Sequence, residues 1–215
     1  MWTRGFTPFL TEKIHENFST CRLRRTAKKQ YHSWFNTDEW TELRLDIDES
    51  VQPDIVGTMT DMSRVPDSSV DAIFSSHNIE HLYAHEVPLA LSEFLRVLKP
   101  DGFAVITCPD LQSVCSLVAQ GKLVEPAYHT GQGIPISPID ILYGWRLPMA
   151  QGNLYMAHRC GFTEDVLRGT LLNSGFVSVG TLGRPDHFDL WAVASKSTLT
   201  EDGIKHLGAK YFFSP

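Results

Sequence analysis

The most regular pattern of apolar and polar positions lies in residues 70–111. A short apolar run from Val70 to Phe74 ends in the polar cluster 75–78, which is typical of a buried strand whose carboxyl end opens onto a cleft. After Pro88 the apolar residues recur at helical spacing, and a second apolar run, 103–108, follows. The pattern therefore predicts a strand, a helix and a strand, which form one right-handed crossover between parallel strands.

The flanking regions have weaker patterns. Residues 1–40 are predicted to form an N-terminal arm that covers the sheet, with an amphipathic helix whose apolar face consists of Phe9, Leu10, Ile14 and Phe18. Residues 121–160 are rich in glycine, proline and aromatic residues, which predicts an insert. Its stretch from Pro126 to Tyr155 is expected to lie as a lid over the carboxyl ends of the two strands predicted in residues 70–111. The α/β domain is expected to span residues 41–197, and residues 198–215 are predicted to form a C-terminal tail.

Composition narrows the class of protein. The chain has 215 residues, of which 42% are hydrophobic and 20% charged, as expected for one globular α/β domain. No apolar run approaches the roughly 20 residues of a membrane helix, and the first residues lack a signal peptide's apolar core, so a cytoplasmic protein is predicted.

The charge is unevenly distributed along the chain: the net charge is −6, whereas the first 35 residues are basic. The basic arm could bind a polyanion such as nucleic acid, but no nucleic-acid-binding motif accompanies it. The favoured interpretation is that the arm folds back on the acidic remainder of the chain. The oligomeric state is left open.

Several ordered motifs resemble those of the class I S-adenosylmethionine-dependent methyltransferases. SVDAI, SHNIEHL, EFLRVLKPDG and VITCPDL, within residues 69–111, look like the family's fourth strand, the turn after it, the next helix and the fifth strand. LRLDIDES at 43–50 looks like its second strand, and PDIVGTMTDM at 53–62 like its third strand and adenine loop. Residues 158–196 look like its last helix and hairpin. The resemblance implies a doubly wound, Rossmann-like, mainly parallel sheet with a C-terminal antiparallel hairpin, strand order 3-2-1-4-5-7-6, and S-adenosylmethionine as cofactor.

The beginning of the chain departs from this family. The family opens with a strand and a glycine-rich turn that approaches the cofactor, whereas this chain has no glycine between Gly5 and Gly57. The first strand is therefore predicted to be degenerate or absent. Either an irregular segment near Cys21–Arg25 replaces it, or strand two pairs directly with strand four. In both cases the cofactor is expected to bind in a shallower site.

The resemblance also implies roles for individual residues. Asp46, with Ile47 beside it, ends the second strand, where a carboxylate accepts hydrogen bonds from ribose hydroxyls. The cofactor-binding set is completed by the adenine loop and by the turn after strand four, and it comprises Asp46, Ile47, Asp61, Met62, Ser76 and His77. His77 is also the candidate catalytic base. The alternatives are structural: a strand-end acid or cap at Asp46, an ordinary turn at 60–64, and a turn-stabilising hydrogen bond at His77.

A metal site is the second chemical hypothesis for the turn after strand four. His77, His81 and His85 follow each other at spacings of four, with Glu80 and Glu86 nearby. However, Pro88 starts a new helix, which places His85 in the turn before it, and the order of residues is not HExxH. No bound metal is therefore predicted.

The predicted function is methyl transfer from S-adenosylmethionine to an unidentified substrate, either a small molecule or a glycan. No nucleic-acid partner and no membrane span are predicted. The alternative is a methyltransferase-derived binding or scaffold protein that has lost the cofactor, which the missing glycine turn favours.

Overall fold

The structure is a computed structural model that describes residues 7–12 and 40–212. In these ranges the strands are β1 (Thr7–Glu12), β2 (Trp40–Asp46), β3 (Ile55–Val56), β4 (Val70–Ser76), β5 (Leu98–Pro109), β6 (Tyr128–His129), β7 (Pro135–Ile136), β8 (Ser178–Arg184) and β9 (Asp189–Ser195). The α-helices there are α1 (Val87–Val97), α2 (Leu111–Ala119), α3 (Pro138–Tyr143), α4 (Arg146–Ala150), α5 (Glu164–Asn173) and α6 (Glu201–Phe212). Short 3-10 turns cover Glu49–Val51, Ile79–His81 and Leu154–Met156.

The main sheet has the strand order β3-β2-β1-β4-β5-β9-β8. This is the predicted order 3-2-1-4-5-7-6, with β8 and β9 as the terminal antiparallel hairpin, so the α/β fold is confirmed. The sheet is mixed rather than mainly parallel. Among the described strands, β2 with β3 and β4 with β5 are parallel pairs, and the other four neighbouring pairs of the main sheet are antiparallel.

The sheet is mixed partly because of β1, which lies at its centre between β2 and β4 and runs antiparallel to both. Its residues pair antiparallel with β2 and with β4, so that Phe9 is opposite both Leu43 and Ile73. The strand is thus degenerate but not absent, and strand two does not pair directly with strand four. Thr7 is opposite Leu45 at the carboxyl end of β2, and Glu12 is opposite Trp40 at its amino end. The amino end of β1 therefore lies at the edge of the sheet where ligands bind in α/β folds.

The helix predicted through Phe9 and Leu10 is wrong, because both residues belong to strand β1. A six-residue strand is too short to display a period of two clearly, and its apolar pair matched helical spacing by coincidence. The other two residues of that helix, Ile14 and Phe18, and the segment Cys21–Arg25 lie outside the described residues.

Apolar side chains pack on both faces of the sheet. Helix α1 begins with Pro88 in its first turn, as the sequence predicts, and buries Ala90, Leu91, Phe94 and Val97. Helix α6 covers the other face, where Tyr211 and Phe212 pack against Phe74 and Trp191. Residues 201–212, predicted as part of a tail, are thus an ordered helix on the sheet.

No helix within residues 7–12 and 40–212 combines the length and the apolar character that crossing a lipid bilayer requires.

The packing of α1 gives a stability prediction. Phe94 is 0% exposed, and Leu89 on the same helix is 56% exposed. Phe94→Ala leaves a cavity in the core and is expected to lower the free energy of unfolding by about 3–5 kcal/mol. Leu89→Ala, the matched control, should change it by less than about 0.5 kcal/mol. Urea denaturation of both variants measures this, and equal effects would contradict the packing of α1.

Candidate functional site

Two cavities open at the carboxyl edge of the sheet, one on each side of the turn that follows β4. The first, called here the β2 cavity, has a volume of about 200 Å³, and the second, the β5 cavity, about 430 Å³. The β2 cavity is lined by residues 45–48 and 57–60, by Asn78, His81, Leu82 and Glu86 of the turn, and by Asn153, Tyr155, Met156 and Arg159 of the insert. The β5 cavity is lined by Ser76, His77 and Pro109, by residues 128–130 and Ile141 of the insert, and by residues 186–189.

The turn between the cavities has an unusual backbone conformation. His77 adopts a φ of 52°, in the left-handed region that non-glycine residues rarely occupy. Its backbone N–H donates to the carbonyl oxygen of Thr107 on β5 at 2.9 Å, and its Nδ1 lies 3.2 Å from Oε1 of Glu80. The structural alternative for His77, a hydrogen bond that holds the turn, is therefore present. The same side chain lines the β5 cavity.

Glu80 is the buried charge of the turn, with 0% of its surface exposed. Burial raises the pKa of its carboxyl group, but the hydrogen bond with His77 and the charges of His77, His81 and His158 outweigh burial and hold the pKa below its ordinary value. Burial also lowers the pKa of the His158 imidazole, with Glu80 opposing this effect. The surrounding imidazoles thus favour the charged form of Glu80, whereas burial favours the neutral form of His158.

Asp46 lies where the sequence predicts it, at the carboxyl end of β2 and at the wall of the β2 cavity. It is 6% exposed, and its Oδ1 accepts a hydrogen bond from the backbone N–H of Asp48 at 2.8 Å. Ile47 is 49% exposed and lines the same cavity.

Asp61 and Met62 have other surroundings. Met62 is 1% exposed in the core, and its backbone N–H donates to Glu93 at 2.6 Å. Asp61 is exposed, and its Oδ1 accepts from the backbone N–H of Ser63 at 3.1 Å. The loop presents Thr58, Met59 and Thr60 to the β2 cavity instead, so Met59 rather than Met62 is the methionine of this loop that lines the cavity.

The insert lies over the carboxyl edge, which confirms the predicted position of the lid. Its residues line both cavities together with the ends of β2, β4 and β5. The carbonyl oxygen of Glu80 accepts hydrogen bonds from the backbone N–H groups of Arg159 at 2.8 Å and Cys160 at 3.2 Å. Gly144 makes a close approach possible within the insert, because a Cβ atom there would lie 2.0 Å from the carbonyl oxygen of Met156.

The β5 cavity is polar with one aromatic wall. Tyr128 of the insert and Phe188 of the β8–β9 turn stack with ring centroids 6.2 Å apart. Asp189 is held at the edge by Arg184 and by the indole N–H of Trp191, which donates to it at 3.2 Å. Ser76 shares a hydrogen bond of 3.0 Å with Thr107 on the neighbouring strand.

Sequence reasoning missed several residues that the fold brings to these cavities. They are Met59, Asn153 and Arg159. His158, which was also missed, lies beside Glu80 and His81. Asn153 follows a glycine in a turn-rich stretch and belongs to no motif, yet its Oδ1 is buried without a hydrogen-bond partner and the residue lines the β2 cavity. A buried polar atom without a partner is a feature of sites that are completed by a ligand.

Residues 19–106 match the family model described as a methyltransferase domain. The match begins within residues 13–39, which the structure does not describe, and continues through β5. This match, over less than half of the chain, agrees with the resemblance of the motifs to the class I S-adenosylmethionine-dependent methyltransferases. No curated protein matches the sequence.

Solved structures with a similar fold include several methyltransferases. An S-adenosylmethionine-dependent methyltransferase from Archaeoglobus fulgidus is 16% identical, with a TM-score of 0.45 over 70% of this chain and 74% of that one. A possible histamine N-methyltransferase from Thermotoga maritima is 15% identical, with a TM-score of 0.41 over 66% and 62%. The 1,6-didemethyltoxoflavin-N1-methyltransferase of Burkholderia thailandensis, with bound S-adenosylhomocysteine, is 16% identical, with a TM-score of 0.40 over 72% and 60%. This chain spans less than two thirds of the length of each of the last two proteins.

S-adenosylmethionine is the cofactor of this family, and the β2 cavity has groups that fit it. A buried carboxylate, two threonine hydroxyls and an apolar wall at Leu45, Met59 and Leu82 suit a ribose and a base. The unpartnered Oδ1 of Asn153 adds an acceptor for a ligand N–H or O–H. The volume of about 200 Å³ is below the roughly 300–1,000 Å³ of typical small-molecule sites.

The backbone of His77 gives a prediction that separates conformation from side-chain chemistry. His77→Gly and His77→Ala both remove the imidazole, but alanine keeps the strain of a positive φ. The glycine variant is therefore expected to have the higher free energy of unfolding, by about 1 kcal/mol. His85 is exposed and has no positive φ, so the same pair of substitutions there should reverse the order. Urea denaturation of the four variants measures both differences, and a more stable alanine at position 77 would contradict the turn conformation.

Proposed function

We propose that this chain is an S-adenosylmethionine-dependent methyltransferase that holds the cofactor in the β2 cavity and a small polar acceptor in the β5 cavity. The single observation that supports this arrangement best is the turn from His77 to Leu82, which contributes residues to both cavities. A cofactor and an acceptor that both contact this turn lie next to each other. Methyl transfer depends on such proximity, because the reacting atoms must be held close together and in line.

On the cofactor side, Asp46 has the chemistry for the two ribose hydroxyls, since one carboxylate can accept both hydrogen bonds. Met59 and Leu82 offer apolar contact to a base, and Asn153 offers a buried acceptor from the insert. Arg159 brings a guanidinium to the same cavity, where it suits the carboxylate of an amino-acid group. Ile47 belongs to this cofactor site as well, whereas Ser76 and His77 line the β5 cavity and flank the cofactor from the acceptor side. Asp61 and Met62 act in this proposal by shaping the loop.

When bound, S-adenosylmethionine supplies a methyl group on a sulfonium centre, which is already an activated leaving group. The protein then has to position the acceptor and take its proton. His77 can do the second task, because the Glu80 carboxylate favours the tautomer that carries the proton on Nδ1. Nε2 then carries the lone pair that accepts a proton.

The β5 cavity suits a small acceptor with a hydroxyl or amino group. Its volume of about 430 Å³ is within the range of small-molecule sites. The lining combines imidazoles and carboxylates, from His129, His187, Asp186 and Asp189, with the stacked rings of Tyr128 and Phe188. This combination of hydrogen-bonding groups and aromatic faces also fits a sugar ring, so glycan-type acceptors belong to the proposed class.

The ribose role of Asp46 gives a quantitative prediction. Asp46→Asn removes the charge but keeps an oxygen for the N–H of Asp48. It is expected to weaken binding of S-adenosylhomocysteine by about 1.5–3 kcal/mol, the usual contribution of a hydrogen bond to a charged group. The free energy of unfolding should change little. Calorimetric titration of the full chain measures the affinity.

The matched control is Glu49→Gln, which removes an exposed carboxylate three residues further along the chain. Its affinity should equal that of the parent. Equal affinities of the Asp46 variant and the parent would remove Asp46 from the ribose site. Absence of binding by the parent at millimolar S-adenosylhomocysteine would overturn the enzyme proposal in favour of the scaffold alternative.

A further inference from the structure

We infer that Glu80, His81 and His158 form a binding site for one divalent metal ion of the zinc class, at the joint between the turn after β4 and the insert. One ligand atom from each of the three residues lies within 4.8 Å of the other two. Glu80 is buried, and both histidines are partly buried. The imidazole rings of His81 and His158 stand edge to face, with centroids 4.9 Å apart. Ligand atoms around tetrahedral zinc are about 3.4 Å apart, so small side-chain rotations bring the three into coordination.

The hydrogen bonds of the two histidines orient them as ligands. Nδ1 of His81 lies 3.0 Å from the carbonyl oxygen of Ala157, and Nδ1 of His158 lies 2.7 Å from that of Ile141. A carbonyl oxygen can accept but not donate, so each Nδ1 carries the proton and each Nε2 carries a lone pair. Metal-binding histidines typically have this arrangement, in which the second nitrogen donates to a backbone carbonyl or a carboxylate.

The carboxylate of Glu80 has one oxygen that is not satisfied within the part of the protein that the structure describes. Its Oε1 is paired with His77, but its Oε2 is buried without a hydrogen-bond partner. A buried carboxylate oxygen that nothing satisfies is strongly unfavourable, and a coordinated cation removes that penalty.

The ligand set indicates the kind of ion. Two imidazoles and one carboxylate suit zinc and neighbouring transition metals, whereas magnesium and calcium prefer oxygen ligands throughout. Three protein ligands leave a fourth position open, as in zinc sites that bind water or a substrate. His81 also lines the β2 cavity, so the open position is accessible from that side.

The site differs from the metal hypothesis drawn from the sequence. His85 is exposed and stacks on Tyr83 at 5.7 Å, so it is not part of this cluster. His158 takes its place from the insert. Because it is more than 70 residues away along the chain, the spacing of histidines in the turn could not indicate it.

The experiment uses the full chain after treatment with a chelator and dialysis. Zinc is titrated in competition with a chromophoric chelator. The parent is expected to bind one equivalent of zinc with a dissociation constant below micromolar. Loss of an outer-shell partner weakens metal binding by 10–100-fold, so Glu80→Gln and His158→Gln, which each remove a ligand, should weaken it by about 100-fold or more.

The matched control is His206→Gln, on the exposed face of α6, which should bind zinc like the parent. Circular dichroism checks that each variant folds, and the two ligand variants serve as independent tests if one of them does not. Cobalt substitution adds a spectroscopic measure, because a four-coordinate site gives intense visible bands that both ligand variants should lose. Absence of stoichiometric binding by the parent at micromolar zinc would overturn the inference. Equal binding by the parent, both ligand variants and the control would overturn it as well.

The metal titration needs neither cofactor nor acceptor, so its result is separate from the test of the proposed function. A parent chain that binds zinc but not S-adenosylhomocysteine would support the metal site and overturn the enzyme proposal. A parent chain that binds S-adenosylhomocysteine but not zinc would support the enzyme proposal and overturn the metal site.

Discussion

The arrangement of the carboxyl edge depends on the burial of one carboxylate, that of Glu80. A charged group with no exposed surface must be surrounded by donors or cations, and in this chain imidazoles from two distant segments provide that environment. The backbone carbonyl of the same residue accepts the N–H groups of Arg159 and Cys160. The backbone of Glu80 therefore joins the insert to the turn after β4, and Nδ1 of His81 adds a second link at the carbonyl oxygen of Ala157.

The two cavities follow from this attachment. The strand ends alone form an open edge with Asp46 on one side and Ser76 on the other. Once residues 157–160 are docked on the turn, the preceding part of the insert must pass over that edge. Asn153, Tyr155 and Met156 then close the β2 cavity, and Tyr128 and Ile141 close the β5 cavity. The insert is thus the element that, together with the strand ends, encloses the β2 and β5 cavities.

The sequence predicts the features that arise from local periodicity and from motifs. The strand order, helix α1 with Pro88 in its first turn, and the place of Asp46 at the end of β2 are examples. Features that depend on distant contacts were not predictable. Strand β1 is defined by its partners rather than by its own six residues, and Asn153 and His158 acquire their surroundings only when the insert docks. Met59 was missed because a shift of three residues within a loop leaves no trace in composition.

The direction of β1 explains why the insert matters so much here. In an ordinary class I domain the chain leaves the first strand at the ligand edge and turns there over the cofactor. In this chain the carboxyl end of β1, Glu12, is opposite Trp40 at the other edge, and Thr7 lies beside Leu45 instead. The carboxyl end of β1 therefore lies on the side of the sheet away from Asp46. Among the described residues, the walls of the β2 cavity come from the loops after β2, β3 and β4 and from the insert. Because a loop is easier to displace than a sheet edge, affinity at this site should depend on how firmly Glu80 and its imidazole neighbours hold the insert closed.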